Sequence, residues 1–501
     1  MRSGVNTPTS DSDTVTGTAR GYLSPFVPER KPPIRPLARD VCALIVGTGL
    51  IGLSLLALRW LSRSFPPGTT TAEHPVFTVL AALLLGGLAW MTTFPALRRL
   101  ADGGAPTGRV LLFGLAAGLL FRAMFFGSHA IYEDDFRRYL WDGAVVAYGL
   151  DPYAHSPAEV SAQAQASDSA ALEELRELDR EAGGLTRGIN NPRLTTIYPP
   201  VAQSAFAAAA VLRPFDPDAL RAVFLLLEAA SFALFALALR AYGRDPVWAL
   251  AYALCPLVAF AGFNTLHMDI LLVPWLLLAL LWVGRRPALA AVALAGAVGV
   301  KVWPLVLGPV VFRQYRARPL RYVGYGVLLG GLSLVVMWPM LRGLGASSGL
   351  EAYSAGWVRS SFLFPRLEGA LSGLADDPGR VARLLVAGAV AGLSLVLALV
   401  ARPDPMRLPL ALMAVTLALL FLSPTGYPWY AIWVAAFLPF VPSRGAALLC
   451  VGVSLYYIRF WLGERGDYGI YTDVLVPLHF GLPLVVLAVE GSVAWRGRRL
   501  A

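Results

Sequence analysis

Residues 109–127, RVLLFGLAAGLLFRAMFFG, are an apolar run, and residues 131–143, IYEDDFRRYLWDG, follow almost at once. The first run is typical of a membrane helix, because a span needs about 20 predominantly apolar residues. The second carries four carboxylates within ten positions. Carboxylates beside a bilayer are costly unless they face water, a partner or a substrate. The junction predicts a helical membrane protein with an acidic site where this helix ends.

The composition of the whole chain agrees with a membrane protein. The 501 residues are 56% hydrophobic and 15% charged, with a mean hydropathy of +0.60, whereas soluble domains are about 25% charged. The net charge of +10 indicates Lys and Arg in cytoplasmic loops. No compact basic patch with interleaved aromatics indicates a nucleic-acid partner, so membrane lipids are the expected surroundings. Cys42, Cys255 and Cys450 lie in apolar segments and are expected as thiols that face lipid or are buried in the core, not as disulfides or metal ligands.

The hydropathy pattern predicts an all-α polytopic membrane protein with about 12 to 14 transmembrane helices and a large first extracytoplasmic loop. A further apolar segment, 287–312, is interrupted by Lys301 and Pro304 and is expected to form two short helices. The twelve clearer spans are 41–61, 75–97, 109–127, 219–239, 247–262, 268–283, 322–341, 381–400, 406–422, 428–441, 445–462 and 474–494.

The arginine-rich loops predict the orientation of the chain. With the protein in the inner (plasma) membrane and both termini in the cytoplasm, most of these loops also fall inside. This requires that Tyr198–Leu212 does not cross the membrane but dips in and returns, or packs along its surface. The loops and helix breaks that carry most of the other polar residues then lie on the extracytoplasmic side. The predicted divisions are a disordered tail 1–38, three helices in 39–127, an outer loop 128–218 that includes an amphipathic helix at 168–182, a core 219–341, a second outer loop 342–380 and C-terminal helices 381–501.

Glu133, Asp134 and Asp135 are the candidate acid–base residues. A positioned carboxylate can deprotonate a hydroxyl nucleophile as a general base. Adjacent carboxylates can also raise one another's pKa or jointly bind a cation, so a divalent metal, Mg²⁺ or Mn²⁺, stays open as a cofactor. The alternative is an acidic cap that only solvates the helix end.

The motifs that follow carry a family resemblance. After Tyr139-Leu140-Trp141-Asp142-Gly143 come a Gly149-to-Tyr153 turn and a segment from Asn190 through Tyr198-Pro199-Pro200 to Gln203, with weaker echoes at residues 264–269, 301–304 and 428–430. This order resembles the GT-C superfamily of membrane glycosyltransferases. It is most similar to the polyprenyl-phosphate-mannose-dependent members of the glycosyltransferase family 87 type.

The resemblance implies a GT-C-like helical bundle and an inverting transfer. A hexose, mannose before others, would move from a polyprenyl-phosphate donor to an extracytoplasmic glycan or lipid acceptor. The catalytic acid falls on Asp134 or Asp135, with Asp135 favoured. The implied substrate-binding residues are Glu133, Arg137, Arg138, Tyr139, Asp142, Tyr153, Tyr198, Gln203, His267, Asp269, Lys301, Trp429 and Tyr430.

Several of these residues have structural alternatives. Lys301 could bind the leaving phosphate together with Arg359, or it could form an ion pair with Asp269 or Glu228. Trp429 and Tyr430 could stack on a sugar or belong to an interfacial aromatic belt. For the whole protein, the alternatives are a transporter or lipid-linked sugar flippase, which also uses broken helices and intramembrane charges, and a glycan ligase or polymerase.

Overall fold

The computed structural model describes Met1 and residues 37–66, 74–103, 107–164, 169–345, 348–400, 404 and 406–499. The predicted tail 1–38 lies outside the described residues except for Met1 and its last two positions, where the first helix begins. Pro36–Ala501 form one compact unit. In the described ranges, extended pairing is limited to two isolated bridges, Arg359 with Thr425 and Ser372 with Ala375. The all-α prediction is confirmed.

The helices of the first half surround the acidic segment and the long loop that follows it. They are α1 (Leu37–Leu61), α2 (Val76–Asp102), α3 (Gly108–Ala123), α4 (Phe136–Ala147), α5 (Pro157–Ser161), α6 (Ala170–Glu181), α7 (Pro200–Leu212), α8 (Pro217–Ala241), α9 (Leu250–Ala253), α10 (Pro256–Ala259), α11 (Leu272–Trp282) and α12 (Pro287–Val300).

The second half alternates long helices with short helical pieces. They are α13 (Gly308–Val311), α14 (Pro319–Arg342), α15 (Gly349–Gly356), α16 (Phe364–Leu371), α17 (Pro378–Val400), α18 (Arg407–Leu422), α19 (Ala431–Ala435), α20 (Arg444–Gly452), α21 (Ile458–Glu464), α22 (Tyr468–Ile470) and α23 (Val476–Arg499).

Seven helices among the described residues are long and apolar enough to cross a membrane, or eight if the bent pair Pro246–Ala253 and Pro256–Asn264 counts as one span. The protein is therefore a polytopic helical membrane protein. The seven are Ala38–Ser64, Val76–Asp102, Pro217–Ala241, Pro319–Arg342, Pro378–Val400, Arg444–Glu464 and Tyr468–Ala494.

The number of full-length spans is smaller than the predicted 12 to 14, because several apolar runs do not form one continuous helix. The helix α12 ends at Val300, and Lys301 after it is extended, as the sequence predicted. The predicted span 428–441 is a short 3₁₀ turn followed by the five residues of α19. Helices of 11 to 16 residues such as α11 and α18 rise about 16 to 24 Å at 1.5 Å per residue, less than the ~30 Å of a hydrocarbon core. Mean hydropathy detects an apolar run, but it does not show where the helix within that run is broken.

A buried ion pair fixes the break that interrupts the fifth predicted span. Arg122 Nε and Glu228 Oε2 lie 2.7 Å apart, with both side chains at most 1% exposed. The Arg122 Nη1 also donates to the carbonyls of Gly118 and Ala253, where α9 ends. The Tyr252 hydroxyl donates to the other oxygen of Glu228. The helix end created before Cys255 is thus capped by a cation, which suits the negative end of the helix dipole.

The segment between α3 and α4 is held by side chains from later helices. Arg221 donates to the carbonyls of Phe263 and Ser128, at 2.7 and 2.8 Å. The Asn264 amide accepts from Ile131 N and donates to His129 O, both at 3.0 Å. These bonds join the acidic segment to the break before α11, and so they position the site.

The outer loop packs on its own small apolar cluster. The amphipathic helix predicted at 168–182 is α6, whose Leu172, Leu175 and Leu178 are buried. They pack with Trp141 and Val145 of α4. Gly183 and Gly184 follow α6 in the left-handed region, with φ of +69° and +80°, which glycine adopts at no steric cost.

Candidate functional site

A cavity of about 1030 Å³ is lined by most of the residues that the sequence predicts as a site. It lies at the upper end of the ~300–1,000 Å³ usual for ligand pockets, so it has room for more than one small ligand. Its walls come from many parts of the chain, namely residues 132–139, 190–199, 268–269, 301–303, 350–359, 383–387, 419–433 and 456–460.

Ten of the fifteen predicted site residues line this cavity. They are Glu133, Asp134, Asp135, Arg138, Tyr139, Tyr198, Asp269, Lys301, Trp429 and Tyr430. These residues are up to about 300 positions apart in the sequence, and they include six of the nine charged residues that line the cavity.

The acidic run lies directly before the first turn of α4. The Asn190 amide donates to both Asp134 Oδ1 and Asp135 Oδ1, each at 2.8 Å. Burial raises the pKa of Asp135 to about 6, the Asn190 hydrogen bond opposes this, and the charge of Asp134 adds to it. A carboxylate with a pKa near the working pH suits a general base.

Glu133 and His267 form a second layer behind the aspartates. His267 is fully buried, and its Nδ1 lies 3.8 Å from Asp135 Oδ2 while its Nε2 lies 4.0 Å from Glu133 Oε2. Within the described part of the chain, both ring nitrogens and Glu133 Oε1 lack a hydrogen-bond partner. Burial raises the pKa of Glu133 well above its usual range and lowers that of His267 well below it. Burial therefore favours the neutral form of both groups.

Lys301 adopts the ion pair that the sequence left open. Its Nζ lies 2.7 Å from Asp269 Oδ1, and Trp433 Nε1 donates to the same oxygen at 2.7 Å. The ammonium also lies 4.3 Å from the centroid of the Tyr430 ring. Glu228, the other predicted partner, pairs with Arg122 instead. Because the Lys301 side chain is still 23% exposed and lines the cavity, it can contact a ligand while paired.

The aromatic wall differs from the stacking surface that was predicted. One face of Trp429 is covered by His267, with ring centroids 3.4 Å apart, and Tyr427 stacks on it at 4.5 Å. Trp429 therefore offers an edge rather than a face to a ligand. Trp357, which sequence reasoning missed, lines the cavity, and among the described residues it has one ring contact, a tilted one to Tyr353. Other aromatic rings therefore cover less of Trp357 than of Trp429.

The other five predicted residues do not line the cavity, and most of them support its wall from behind. Arg137 donates to Gly188 O, and the Tyr153 hydroxyl donates to Tyr198 O at 2.8 Å. The Gln203 amide donates to Asp142 at 3.1 Å. In the structure these bonds hold the 188–198 segment against α4 and α7, and His267 lies behind the carboxylates. The role of these five residues as substrate contacts stays a prediction.

Basic residues at the cavity include two that sequence reasoning missed. Arg383 and Arg459 line it, as does Arg359, which was considered as a phosphate ligand. The side chains of Arg359 and Arg383 form no hydrogen bond or ion pair with the residues that the structure describes. Arginines at the predicted extracytoplasmic helix ends depart from the positive-inside rule, and this departure was the available signal.

Backbone strain is concentrated around the same cavity. Five described non-glycine residues have φ between +48° and +65°, a region that costs a side chain energy. Three of them line the cavity or lie beside a residue that does, namely Tyr132, Asn191 and Ser360, and a fourth, Leu266, lies directly before His267 behind the carboxylates. Such strain commonly occurs at functional sites, where surrounding packing over-determines the backbone.

Among the described residues, no group of three or more His, Cys, Asp or Glu side chains is arranged to hold a metal ion. The predicted Mg²⁺ or Mn²⁺ stays a prediction. Comparison of the chain with family models, curated proteins and solved structures finds no match, so the site must be interpreted from its own chemistry.

Proposed function

We propose that the protein is an integral membrane glycosyltransferase of the GT-C type. It transfers a hexose, mannose before others, from a polyprenyl-phosphate donor to a glycan or lipid acceptor on the extracytoplasmic side. The observation that carries the proposal is one cavity that is lined both by Asp135, a half-buried carboxylate with a raised pKa, and by Arg359 and Arg383, whose side chains have no hydrogen-bond or ion-pair partner among the described residues.

In the proposed transfer, the carboxylates and the basic side chains of the cavity have different roles. Asp135, or Asp134 beside it, takes the proton as the acceptor O–H bond breaks. The acceptor oxygen forms its bond to the sugar C1 while the bond from C1 to the phosphate oxygen breaks, and the phosphate leaves with the electron pair. Lys301, Arg359 and Arg383 stabilise the charge that develops there, because preorganised cations in a water-poor cavity are effective in this role.

The charge distribution supports the extracytoplasmic orientation of the cavity. Arginines gather at the opposite helix ends, where Arg99 pairs with Asp40 at 2.6 Å and Arg313 donates to the Asp404 carbonyl at 2.7 Å. By the positive-inside rule these ends face the cytoplasm. The cavity then faces outward in the inner (plasma) membrane, where a lipid-linked donor and an acceptor glycan could both reach it.

The test is sugar transfer in vitro from radiolabelled polyprenyl-phosphate-mannose, with other polyprenyl-phosphate hexoses in parallel. The wild type is compared with Asp135→Asn and Asp134→Asn, and Glu174→Gln on the exposed face of α6 is the matched control. We expect the loss of the base to lower kcat by about 10²–10⁴-fold, with the control unchanged.

Two outcomes would overturn the proposal. Full activity in both aspartate variants would remove the proposed base. Failure of the wild type to transfer any polyprenyl-phosphate sugar would remove the class of enzyme. Movement of a lipid-linked sugar across proteoliposome membranes without transfer would instead favour the flippase alternative.

A further inference from the structure

We propose that Glu133 and His267 form a neutral hydrogen-bonded pair that positions Asp135 as the base of the proposed transfer. In this arrangement the Glu133 carboxyl group donates to His267 Nε2, and His267 Nδ1–H donates to Asp135 Oδ2. The inference rests on the proposed function, and it distinguishes Asp135 from its neighbour Asp134.

The geometry of the three side chains supports this chain of hydrogen bonds. The distances of 3.8 and 4.0 Å from the two ring nitrogens to the two carboxylates are longer than hydrogen bonds. Such contacts are often long in unliganded sites and tighten when the substrate binds. The imidazole is held in plane by stacking on Trp429. A small movement of the flanking carboxylates would therefore close both contacts without turning the ring.

The hydrogen-bond inventory of the site points to the same arrangement. A neutral imidazole has one donor and one acceptor nitrogen, and a fully buried ring with neither satisfied is costly. His267 has no other partner for either nitrogen among the described residues, and Glu133 Oε1 also lacks one. Asp135 Oδ1 is already occupied by Asn190, so Oδ2 is the oxygen that is left for His267.

The residue directly before each member of the pair has a left-handed backbone conformation, which fixes the direction of the side chain that follows. Tyr132, directly before Glu133, has φ of +65°, and Leu266, directly before His267, has φ of +61°. A bulky side chain in this region is a true outlier. Two such residues next to the two members of one pair indicate that packing enforces their directions.

The charges around the pair favour neutral Glu133 and His267 beside an ionised Asp135. Burial raises the pKa of Glu133, and Asp135 and Asp134 add to this while Arg459 opposes it. Burial and then Lys301 lower the pKa of His267. At Asp135, burial acts most strongly against ionisation and raises its pKa to about 6; Asp134 and Asp269 add to this, whereas Asn190 and Lys301 favour the ionised form. Asp134 is solvent-exposed, and among the described residues its side-chain hydrogen-bond partner is the Asn190 amide that it shares with Asp135.

The kinetic test compares Glu133→Gln, Glu133→Leu and His267→Phe in the transfer assay. Gln keeps a donor for the imidazole and should retain activity within about threefold. Glu133→Leu and His267→Phe should lower kcat about 10-fold or more with little change in KM, as part of the 10²–10⁴-fold due to the base. Loss of the Nδ1–H donor should move the acidic limb of kcat/KM upward by about 1 to 2 pH units.

His479→Phe is the matched control. His479 is also buried, with both nitrogens unpartnered among the described residues, but it lies on α23 and not at the cavity. Its replacement should leave the pH profile unchanged. A wild-type profile in His267→Phe, or a loss of activity in Glu133→Gln as large as in Glu133→Leu, would overturn the pair.

A second measurement does not depend on activity. In ¹⁵N-histidine-labelled protein at pH 7, the signal that disappears in His267→Phe should belong to the neutral Nδ1–H tautomer. The opposite tautomer or a protonated ring would overturn the inference. If the wild type transfers no sugar, the proposed function fails, but this spectrum still decides whether the pair exists.

Discussion

The ion pair between Arg122 and Glu228 provides the sharpest stability prediction. Glu228→Leu leaves a guanidinium that is 0% exposed without a counter-charge, and breaking a buried pair in this way costs about 3 to 5 kcal/mol. The Tyr252 hydroxyl loses its acceptor as well, which adds about 1 kcal/mol. We therefore expect the free energy of unfolding to fall by at least about 3 kcal/mol.

Removing both charges should restore most of this loss. Arg122→Met combined with Glu228→Leu leaves no uncompensated ion, and replacing a buried pair by apolar side chains is often nearly neutral. The double variant still loses the cap on the Ala253 carbonyl, which contributes about 1 kcal/mol. We expect it to lie within about 2 kcal/mol of the wild type and well above Glu228→Leu.

The assay is reversible unfolding of the purified protein in mixed micelles, followed by circular dichroism as the fraction of denaturing detergent rises. Asp102→Asn, which breaks an exposed pair with Arg98, is the control and should change stability by less than about 0.5 kcal/mol. A loss below about 1 kcal/mol in Glu228→Leu would refute the reasoning, because the guanidinium would then have found water or another partner.

Three further predictions concern the cavity and the outer loop. First, kcat/KM for transfer should fall about tenfold per unit below pH 6, because Asp135, with a pKa of about 6, must be ionised to act as a base; a flat profile down to pH 5 would exclude it. Second, Trp357→Ala should raise KM for the sugar donor about 2- to 10-fold, the range of one aromatic stack, whereas Trp429→Phe should change KM less, as measured by steady-state kinetics. Third, Gly143→Ala should cost about 1 to 3 kcal/mol in micellar unfolding through overpacking, because its Cβ would meet the Phe206 carbonyl; Gly388→Ala, with no neighbour within 4 Å, should be neutral.

The sequence was informative about which segments meet and less so about what each side chain touches. The acidic run and Lys301 were recognisable because charged residues beside apolar spans need a reason to be there. Their common cavity followed from the shared side of the helix ends. The break at Lys301 was predictable too, because Pro304 and a lysine interrupt an otherwise apolar run.

The partner of each side chain depended on tertiary structure. Whether Lys301 would pair with Asp269 or Glu228 could not be decided from spacing, because Arg122 takes Glu228 from a distant helix. Trp429 was predicted either to stack on a sugar or to belong to an interfacial belt, and the sequence did not indicate that His267 from another segment covers one of its faces. The predicted number of full-length spans was too high for a similar reason, because an apolar run indicates that a segment is buried and not that it forms one continuous helix.

The left-handed residues around the cavity have a practical consequence for purified protein. Each holds about 1 to 3 kcal/mol of backbone strain, and only the packing of neighbouring helices keeps it in place. A detergent that loosens this packing will let the turns relax first, while the long helices keep their internal hydrogen bonds. Circular dichroism would then report an intact protein after the site has been lost. Ligand binding is therefore a better measure of preparation quality than helix content.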